Sequence, residues 1–153
     1  MDARENAGNV RYQATLQVLR TADTFWNISR TFFQRWDLSP SQFNVLNLLS
    51  SEPEGLSQTE LSRQLIMHRS NITGLVDRLE KRGLVQRREV ATDRRAYRVV
   101  LSSSGSKLLG QILPEYHRRA EGVWEGLSTQ RLTALMNDLA TATKHVTGNR
   151  DRL

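Results

Sequence analysis

The 153-residue chain is long enough for one folded domain, or for two small ones that share elements. Its 38% hydrophobic and 25% charged residues are typical of a globular chain rather than a disordered one. No apolar run approaches the roughly 18–20 residues of a membrane-spanning helix. The lack of cysteine excludes disulfides, thiolate metal sites and cysteine nucleophiles, and three scattered histidines do not favour a metal site. We therefore expect no metal and no cofactor.

The positive charge is concentrated in the middle of the chain. The net charge is +6, and between Ser57 and Arg98 there are ten Lys or Arg residues and five acids. Five of the six net charges thus fall in this segment. A cationic middle between nearly neutral flanks is typical of proteins that bind nucleic acid or another anionic surface. A solvated basic face with no partner is the alternative, and charge alone does not decide between the two.

The chain begins with two predicted helices. Apolar residues at near-helical spacing predict one helix from about Val10 to Arg35. Ser39 followed by Pro40 is a helix cap with proline at the first helical position, and it predicts a second helix to about Leu49.

A helix-turn-helix pattern follows. The string from Ser57 to Glu60 matches the capping box and predicts a third helix that ends near Leu65. A fourth helix is predicted from Arg69 to Arg82, and Gly83 is suited to end it in the left-handed conformation. Two helices of this size joined by a short turn form the helix-turn-helix motif.

The period of the sequence changes after Gly83 to that of strands. Residues 84–90 and 97–101 predict two strands, and residues 91–96 predict a polar, basic turn between them. The resulting β-hairpin carries Arg94 and Arg95 at its tip. A hairpin directly after a helix-turn-helix makes the motif a winged one.

The C-terminal third is again helical. A fifth helix is predicted from Ser103 to about Glu125, with a kink at Pro114 because proline removes one backbone hydrogen bond. Ser128 is suited to cap a sixth helix, which runs to about Val146. The first and last helices carry apolar stripes, so we expect them to pack together, within the chain or with a second copy. The predicted fold class is mainly α with a small β-hairpin wing.

Three strings resemble the MarR family of winged-helix transcription regulators. They are LSRQL at 61–65, NITGLVDRLEKRGLVQRR at 71–88 and DRRAYRVVLS at 93–102. The resemblance covers about residues 10–147, and the combination of the helix-turn-helix string with a D-x-R wing makes it specific. The family usually has threonine where Ser102 stands, although both residues cap helices. Pro114 is a departure from the common family pattern.

The resemblance implies a prokaryotic homodimer that binds a pseudo-palindromic operator with two winged lobes. It assigns residues 37–102 to the DNA-binding domain and residues 1–36 and 103–153 to a helical dimerisation region. Many family members are repressors that small, often anionic aromatic ligands release from DNA. The expected partners are therefore double-stranded DNA, a second copy of the chain and a small aromatic effector, with no membrane and a cytoplasmic, nucleoid-associated location.

We expect the fourth helix to act as the recognition helix, with its amino-terminal part in the major groove. Arginine can bridge guanine and asparagine can pair with adenine, whereas serine and threonine suit phosphates or mixed contacts. Glycine inside a helix costs about 1 kcal/mol, which indicates either close approach to DNA or tight packing against the third helix. The predicted contacts on the helices are Ser57, Gln58, His68, Arg69, Ser70, Asn71, Thr73, Gly74 and Arg78, with plain surface as the alternative for His68.

The wing supplies the other predicted contacts. Arg94 and Arg95 can reach a minor groove, and the resemblance favours Arg95 as the inserted side chain. It assigns Asp93 an orienting role, and the alternative is a simple turn-former. Arg87 and Arg88 alternate across a strand, so one should face phosphate and the other solvent, and Arg87 is among the predicted contacts.

Other functions find less support in the sequence. An enzyme is not expected, since no Gly-rich phosphate loop, metal-ligand spacing or G-x-S-x-G string is present. A ligand-independent regulator or an architectural DNA-binding protein is the main alternative. RNA binding is disfavoured because a recognition helix does not fit the narrow A-form major groove. For an effector, we predict Trp26, Arg30 and His117 as lining residues, although the aromatic residues also suit a dimer core.

Overall fold

The computed structural model describes residues 3–65, 72–90 and 93–148. The elements follow the predicted order, with six helices and one antiparallel hairpin in this part of the chain. The mainly α fold class with a β-hairpin wing is confirmed. The elements are α1 (Ala3–Phe33), a 3-10 turn (Gln34–Trp36), α2 (Pro40–Ser50), α3 (Gln58–Gln64), α4 (Ile72–Lys81), β1 (Val85–Val90), β2 (Asp93–Leu101), α5 (Ser103–Val123) and α6 (Thr129–Gly148).

The starts of α2 and α3 are set by two reciprocal capping boxes. The Ser39 hydroxyl accepts from the Gln42 amide at 3.2 Å, and the Ser39 amide donates to the Gln42 side chain at 2.8 Å. Ser57 and Glu60 repeat this arrangement at 3.2 Å and 2.7 Å. Each box satisfies two amides that the helix itself leaves unpaired. Both predicted helix starts are therefore confirmed.

Two predicted elements have wrong boundaries, the first helix and the turn of the hairpin. Helix α1 begins at Ala3 rather than near Val10, and it gives way to the 3-10 turn after Phe33. The turn predicted at residues 91–96 is too long, because β2 already begins at Asp93, which pairs with Val90 across a register shift. Residues 93–96 lack the apolar alternation by which a strand is recognised in sequence. The first residues of the predicted fourth helix, 69–71, lie outside the described residues.

The chain divides into two compact units, Met1–Gln111 and Ile112–Leu153. The core of the first unit joins α1, α2, α4 and the hairpin. The rings of Phe33 and Phe43 stack with centroids 4.2 Å apart, and both side chains are fully buried. Val76 and Leu79 of α4 and Val99 of β2 are also fully buried, which seats the helix and the hairpin on one core.

The hairpin is anchored at its base by the loop before α3. Leu56 pairs with Val99 through two backbone hydrogen bonds of 2.9 Å and 2.7 Å. On the other side, the Ser102 hydroxyl donates to the Gly83 carbonyl at 2.6 Å and accepts from the Gly105 amide at 3.0 Å, which caps α5. Gly83 has φ +69°, as predicted for the residue that ends α4.

The second unit contains the end of α5 and all of α6. Helix α5 contains Pro114 and continues to Val123, and Gly126, between α5 and α6, has φ +85°. The Ser128 hydroxyl accepts from the Arg131 amide at 3.3 Å, so the predicted cap of α6 is confirmed. In the described part of the chain, no helix is long and apolar enough to cross a membrane.

Candidate nucleic-acid interface

The amino ends of α3 and α4 are joined by a polar contact. The Thr73 hydroxyl lies 3.2 Å from the Gln58 side-chain oxygen, across 15 positions of sequence. Thr73 is exposed, Gly74 behind it is half-buried, and the Ser57 hydroxyl is occupied by its own cap. The Gln58 amide nitrogen is buried and has no hydrogen-bond partner among the described residues. The structure thus brings together three predicted contacts, Ser57, Gln58 and Thr73.

Several other predicted contacts cannot be placed in this way. His68, Arg69, Ser70 and Asn71 lie outside the described residues. Asp93, Arg94 and Arg95 form the first residues of β2, next to the end of the hairpin, so their backbone position agrees with a wing tip. Their roles stay predictions, as does that of Arg78, which is exposed on α4.

Arg87 on β1 has carboxylate partners on α4. Its guanidinium bonds both Asp77 and Glu80, and its backbone amide donates to Glu80 at 3.0 Å. The guanidinium carbon also lies 5.1 Å from the centre of the Tyr97 ring on β2. The hydrogen bond to Asp77, with smaller contributions from Tyr97 and Glu80, raises the pKa of Arg87 above its ordinary value. We call this group of four residues the Arg87 clamp.

Arg87 and Arg88, which are neighbours on β1, differ in their surroundings. Arg87 pairs with Val99 and Arg88 with Arg98, so the two arginines lie on opposite faces of the hairpin. The face of Arg87 is turned to α4, and only 23% of its side chain is exposed. Arg88 is exposed. Of these two arginines, Arg88 is therefore the one with an open approach for a phosphate.

Arg82 is a second basic residue that contacts the chain itself. Its guanidinium donates to the carbonyl oxygens of Trp36, at 3.0 Å, and of Asp37. Asp37 has φ +52°, a conformation that few non-glycine residues adopt. Arg82 thus ties the end of α4 to the connection between α1 and α2.

Arg98 plays a similar part on β2. It donates to the carbonyl oxygens of Glu54, at 3.1 Å, and Gly55, at 2.7 Å, and lies 3.4 Å from the Glu60 carboxylate. The pKa of Glu60 is lowered, chiefly by hydrogen bonds from the Ser57 amide and hydroxyl and less by the charge of Arg98. Net charge along the sequence does not reveal these internal roles, because the carbonyl partners of Arg82 and Arg98 lie more than 40 positions away.

A cavity of about 280 Å³ lies beside the connection between α1 and α2. Of the three predicted effector residues, Arg30 lines it. Trp26 is half-buried and does not line this cavity, and His117 is exposed on α5 in the second unit. The other lining residues are Gln34, Asp37, Leu38, Ser39, Pro40 and Gln42.

Comparisons with known proteins agree with this geometry. A family model described as MarR family matches residues 36–96. The crystal structure of a MarR transcription factor from Planctomyces limnophilus superimposes with a TM-score of 0.64 and 33% identity, over 85% of this chain and 95% of that one. The chain belongs to the MarR family. Among curated family relatives, the regulator FarR of Neisseria gonorrhoeae is 30% identical over 115 residues, which are 75% of this chain and 78% of FarR.

The sequence identity to a second curated relative is higher, but the matched segment is shorter. The transcriptional repressor MprA of Escherichia coli K12 is 38% identical over 85 residues, or 56% of this MarR-family chain. The matched part is 48% of MprA, so the chain spans about half the length of that relative.

Proposed function

We propose that this MarR-family chain is a transcriptional repressor that binds a pseudo-palindromic operator in double-stranded DNA as a homodimer. The observation that carries the proposal is the location of the charge. Five of the six net positive charges lie between Ser57 and Arg98, the segment that contains α3, α4 and most of the hairpin, the elements that a winged helix presents to DNA. A repressor of a chromosomal operator acts in the cytoplasm, at the nucleoid.

The proposed DNA contacts fall into two groups. Arg78 on α4, together with Arg69 and Asn71, which precede α4 in the sequence, reads base edges in the major groove. Arg95, oriented by Asp93, enters the adjacent minor groove with Arg94 beside it. Ser57, Gln58, His68, Ser70 and Thr73 contact the phosphate backbone, while Gly74 lets that backbone approach closely.

The homodimer is supported by apolar side chains that the single chain leaves exposed. On α1, exposed fractions are 64% for Val10, 48% for Val18 and 61% for Leu19. On α6, Met136 is 62% and Val146 is 55% exposed. Large apolar surfaces that are left uncovered are typical of association sites. We therefore propose that residues 1–36 and 103–153 form the dimerisation region, which leaves residues 37–102 for DNA.

A substitution on α1 tests the dimer. Val18→Glu should dissociate it in sedimentation velocity experiments, because a charge would be buried in an apolar interface. Gln13→Glu is the matched control, since it adds the same charge 140° away on a polar side of the helix and should leave the dimer intact. A monomeric wild type would contradict the dimer and leave the DNA contacts to be tested separately.

DNA binding is tested by fluorescence anisotropy on a duplex that the wild-type chain selects from a random pool. Arg95→Ala and Asn71→Ala should each weaken binding by about 1–3 kcal/mol if they contact bases or a groove. Lys107→Ala on α5 removes a charge outside the winged lobe and should have little effect. Unchanged affinity in both variants would show that neither Arg95 nor Asn71 contacts DNA. Binding to DNA without preference for any sequence would favour an architectural protein.

The cavity beside α2 is the proposed site for an effector. A small aromatic anion that entered the cavity beside α2 would meet the guanidinium of Arg30. Benzoate and hydroxybenzoates are suitable probes in a thermal-shift assay, with Arg30→Gln as the variant that should abolish any shift. No catalytic activity is proposed, because the sequence contains no Gly-rich phosphate loop, metal-ligand spacing or G-x-S-x-G string.

A further inference from the structure

We propose that Arg87 is a positioning residue that holds the wing against the recognition helix, and not a phosphate contact. This inference rests on the proposed DNA-binding function. It concerns the Arg87 clamp, in which one guanidinium on β1 bonds two carboxylates on α4. Asp77 and Glu80 are three residues apart, so both project from the same side of α4.

The location of the Arg87 clamp along the hairpin allows it to fix the orientation of the hairpin relative to α4. The base of the hairpin is fixed by the pairing of Val85 with Leu101 and by the Leu56–Val99 bridge. The far end lies at the pairing of Val90 with Asp93, next to Arg94 and Arg95. Arg87 lies opposite Val99, at the outer limit of this fixed base and three positions before Val90, and a two-stranded ribbon is marginally stable by itself. The clamp therefore sets the angle at which the tip leaves α4.

The electrostatics also oppose a phosphate contact by Arg87. A phosphate that approached this guanidinium would come close to two carboxylates, and like charges at short range repel. The guanidinium is in addition packed against the Tyr97 ring, which leaves 23% of the side chain exposed. Its positive charge is largely neutralised within the protein, so little counterion release can be attributed to it.

The two roles predict effects of opposite sign for Asp77→Asn. If Arg87 is a phosphate contact, the loss of an acid near DNA frees the guanidinium and strengthens binding. If Arg87 positions the wing, the same change opens the clamp and weakens binding, by about tenfold. Arg87→Lys should weaken binding to a similar extent, because an ammonium keeps the charge but cannot bridge two carboxylates in the planar geometry of arginine.

The assay is fluorescence anisotropy of the full chain with the duplex that the wild type selects, at a temperature where every variant is folded by circular dichroism. Glu89→Gln is the matched control, because it removes an acid from the same strand but outside the clamp, and its affinity should be unchanged or higher. Wild-type binding must be present in the same experiment, and its absence would refute the proposed function rather than the clamp.

The salt dependence separates positioning from direct contact. For Arg87→Met, the slope of log K against log salt should equal that of the wild type even though affinity falls, whereas loss of a phosphate contact lowers the slope by about one. In the double variant Asp77→Asn/Arg87→Met, the loss should be no larger than for Arg87→Met alone, because both changes break one clamp. Unchanged or tighter binding by Asp77→Asn, or a reduced slope for Arg87→Met, would overturn the inference.

Discussion

Gly55, in the loop before α3, is the position where one added methyl group should disturb the wing most directly. Its φ of +73° is unfavourable for alanine, which costs about 1–2 kcal/mol. A Cβ there would also collide with the Val99 carbonyl oxygen and lie 2.6 Å from the Val100 side chain, both on β2. Displacing packed neighbours costs a further 1–3 kcal/mol, roughly. Gly55→Ala should therefore lower the free energy of unfolding by about 2–5 kcal/mol.

Gly83→Ala is the matched control for this experiment. Gly83 has a similar φ of +69°, but a Cβ there meets no atom within 4 Å in the described part of the chain. The free energy of unfolding of Gly83→Ala should fall by about 1–2 kcal/mol, which is the conformational cost alone. Urea unfolding followed by circular dichroism gives both values, at one protein concentration because a dimer's stability depends on it. Equal losses in the two variants would refute the argument that Gly55 is required by its contact with the wing.

Other predictions concern the core, the cap of α3 and the link from α4 to α1. Phe43→Ala removes the ring stacked on Phe33 and should cost about 3–5 kcal/mol in urea unfolding, and a loss below 1 kcal/mol would contradict the packing described. The lowered pKa of Glu60 means that it stabilises the fold above the pKa of an unfolded glutamate, about 4.3, and less as pH falls through the lowered pKa. The stability difference between wild type and Glu60→Gln should thus be present at pH 7 and shrink in acid, and a difference that is constant with pH would count against this. Arg82→Met keeps the apolar stem but loses two hydrogen bonds to carbonyl groups, so the free energy of unfolding should fall by about 1.5 kcal/mol. An unchanged free energy of unfolding would show that these bonds do not stabilise the fold.

The parts of the fold that could be predicted are those with local causes. The cap at Ser39, the box from Ser57 to Glu60 and the stop at Gly83 each depend on residues within a few positions, and all three are confirmed. The start of β2 at Asp93 was missed because it depends on the pairing of Asp93 with Val90 of β1, and residues 93–96 have no strand pattern of their own.

The location of the candidate site could be predicted from the sequence. Which of its arginines are paired within the protein, and which are exposed to solvent, could not. The sequence shows ten basic residues between Ser57 and Arg98. It does not show which of them bind carbonyl or carboxylate groups of the same chain. Arg98 meets main-chain carbonyls of Glu54 and Gly55, and Arg87 meets the carboxylates of Asp77 and Glu80. Such pairings depend on the packing of α4 and the loop against the hairpin, and periodicity contains no information on them.

The central claim is that two copies of the chain bind one selected duplex through the winged lobes. Sedimentation velocity of the purified chain with a labelled duplex selected from a random pool measures stoichiometry and affinity together. We expect two chains per duplex, no comparable complex with a scrambled duplex, and binding that weakens steeply between about 50 and 200 mM salt. A chain that stays monomeric and leaves the duplex free at low salt would contradict it.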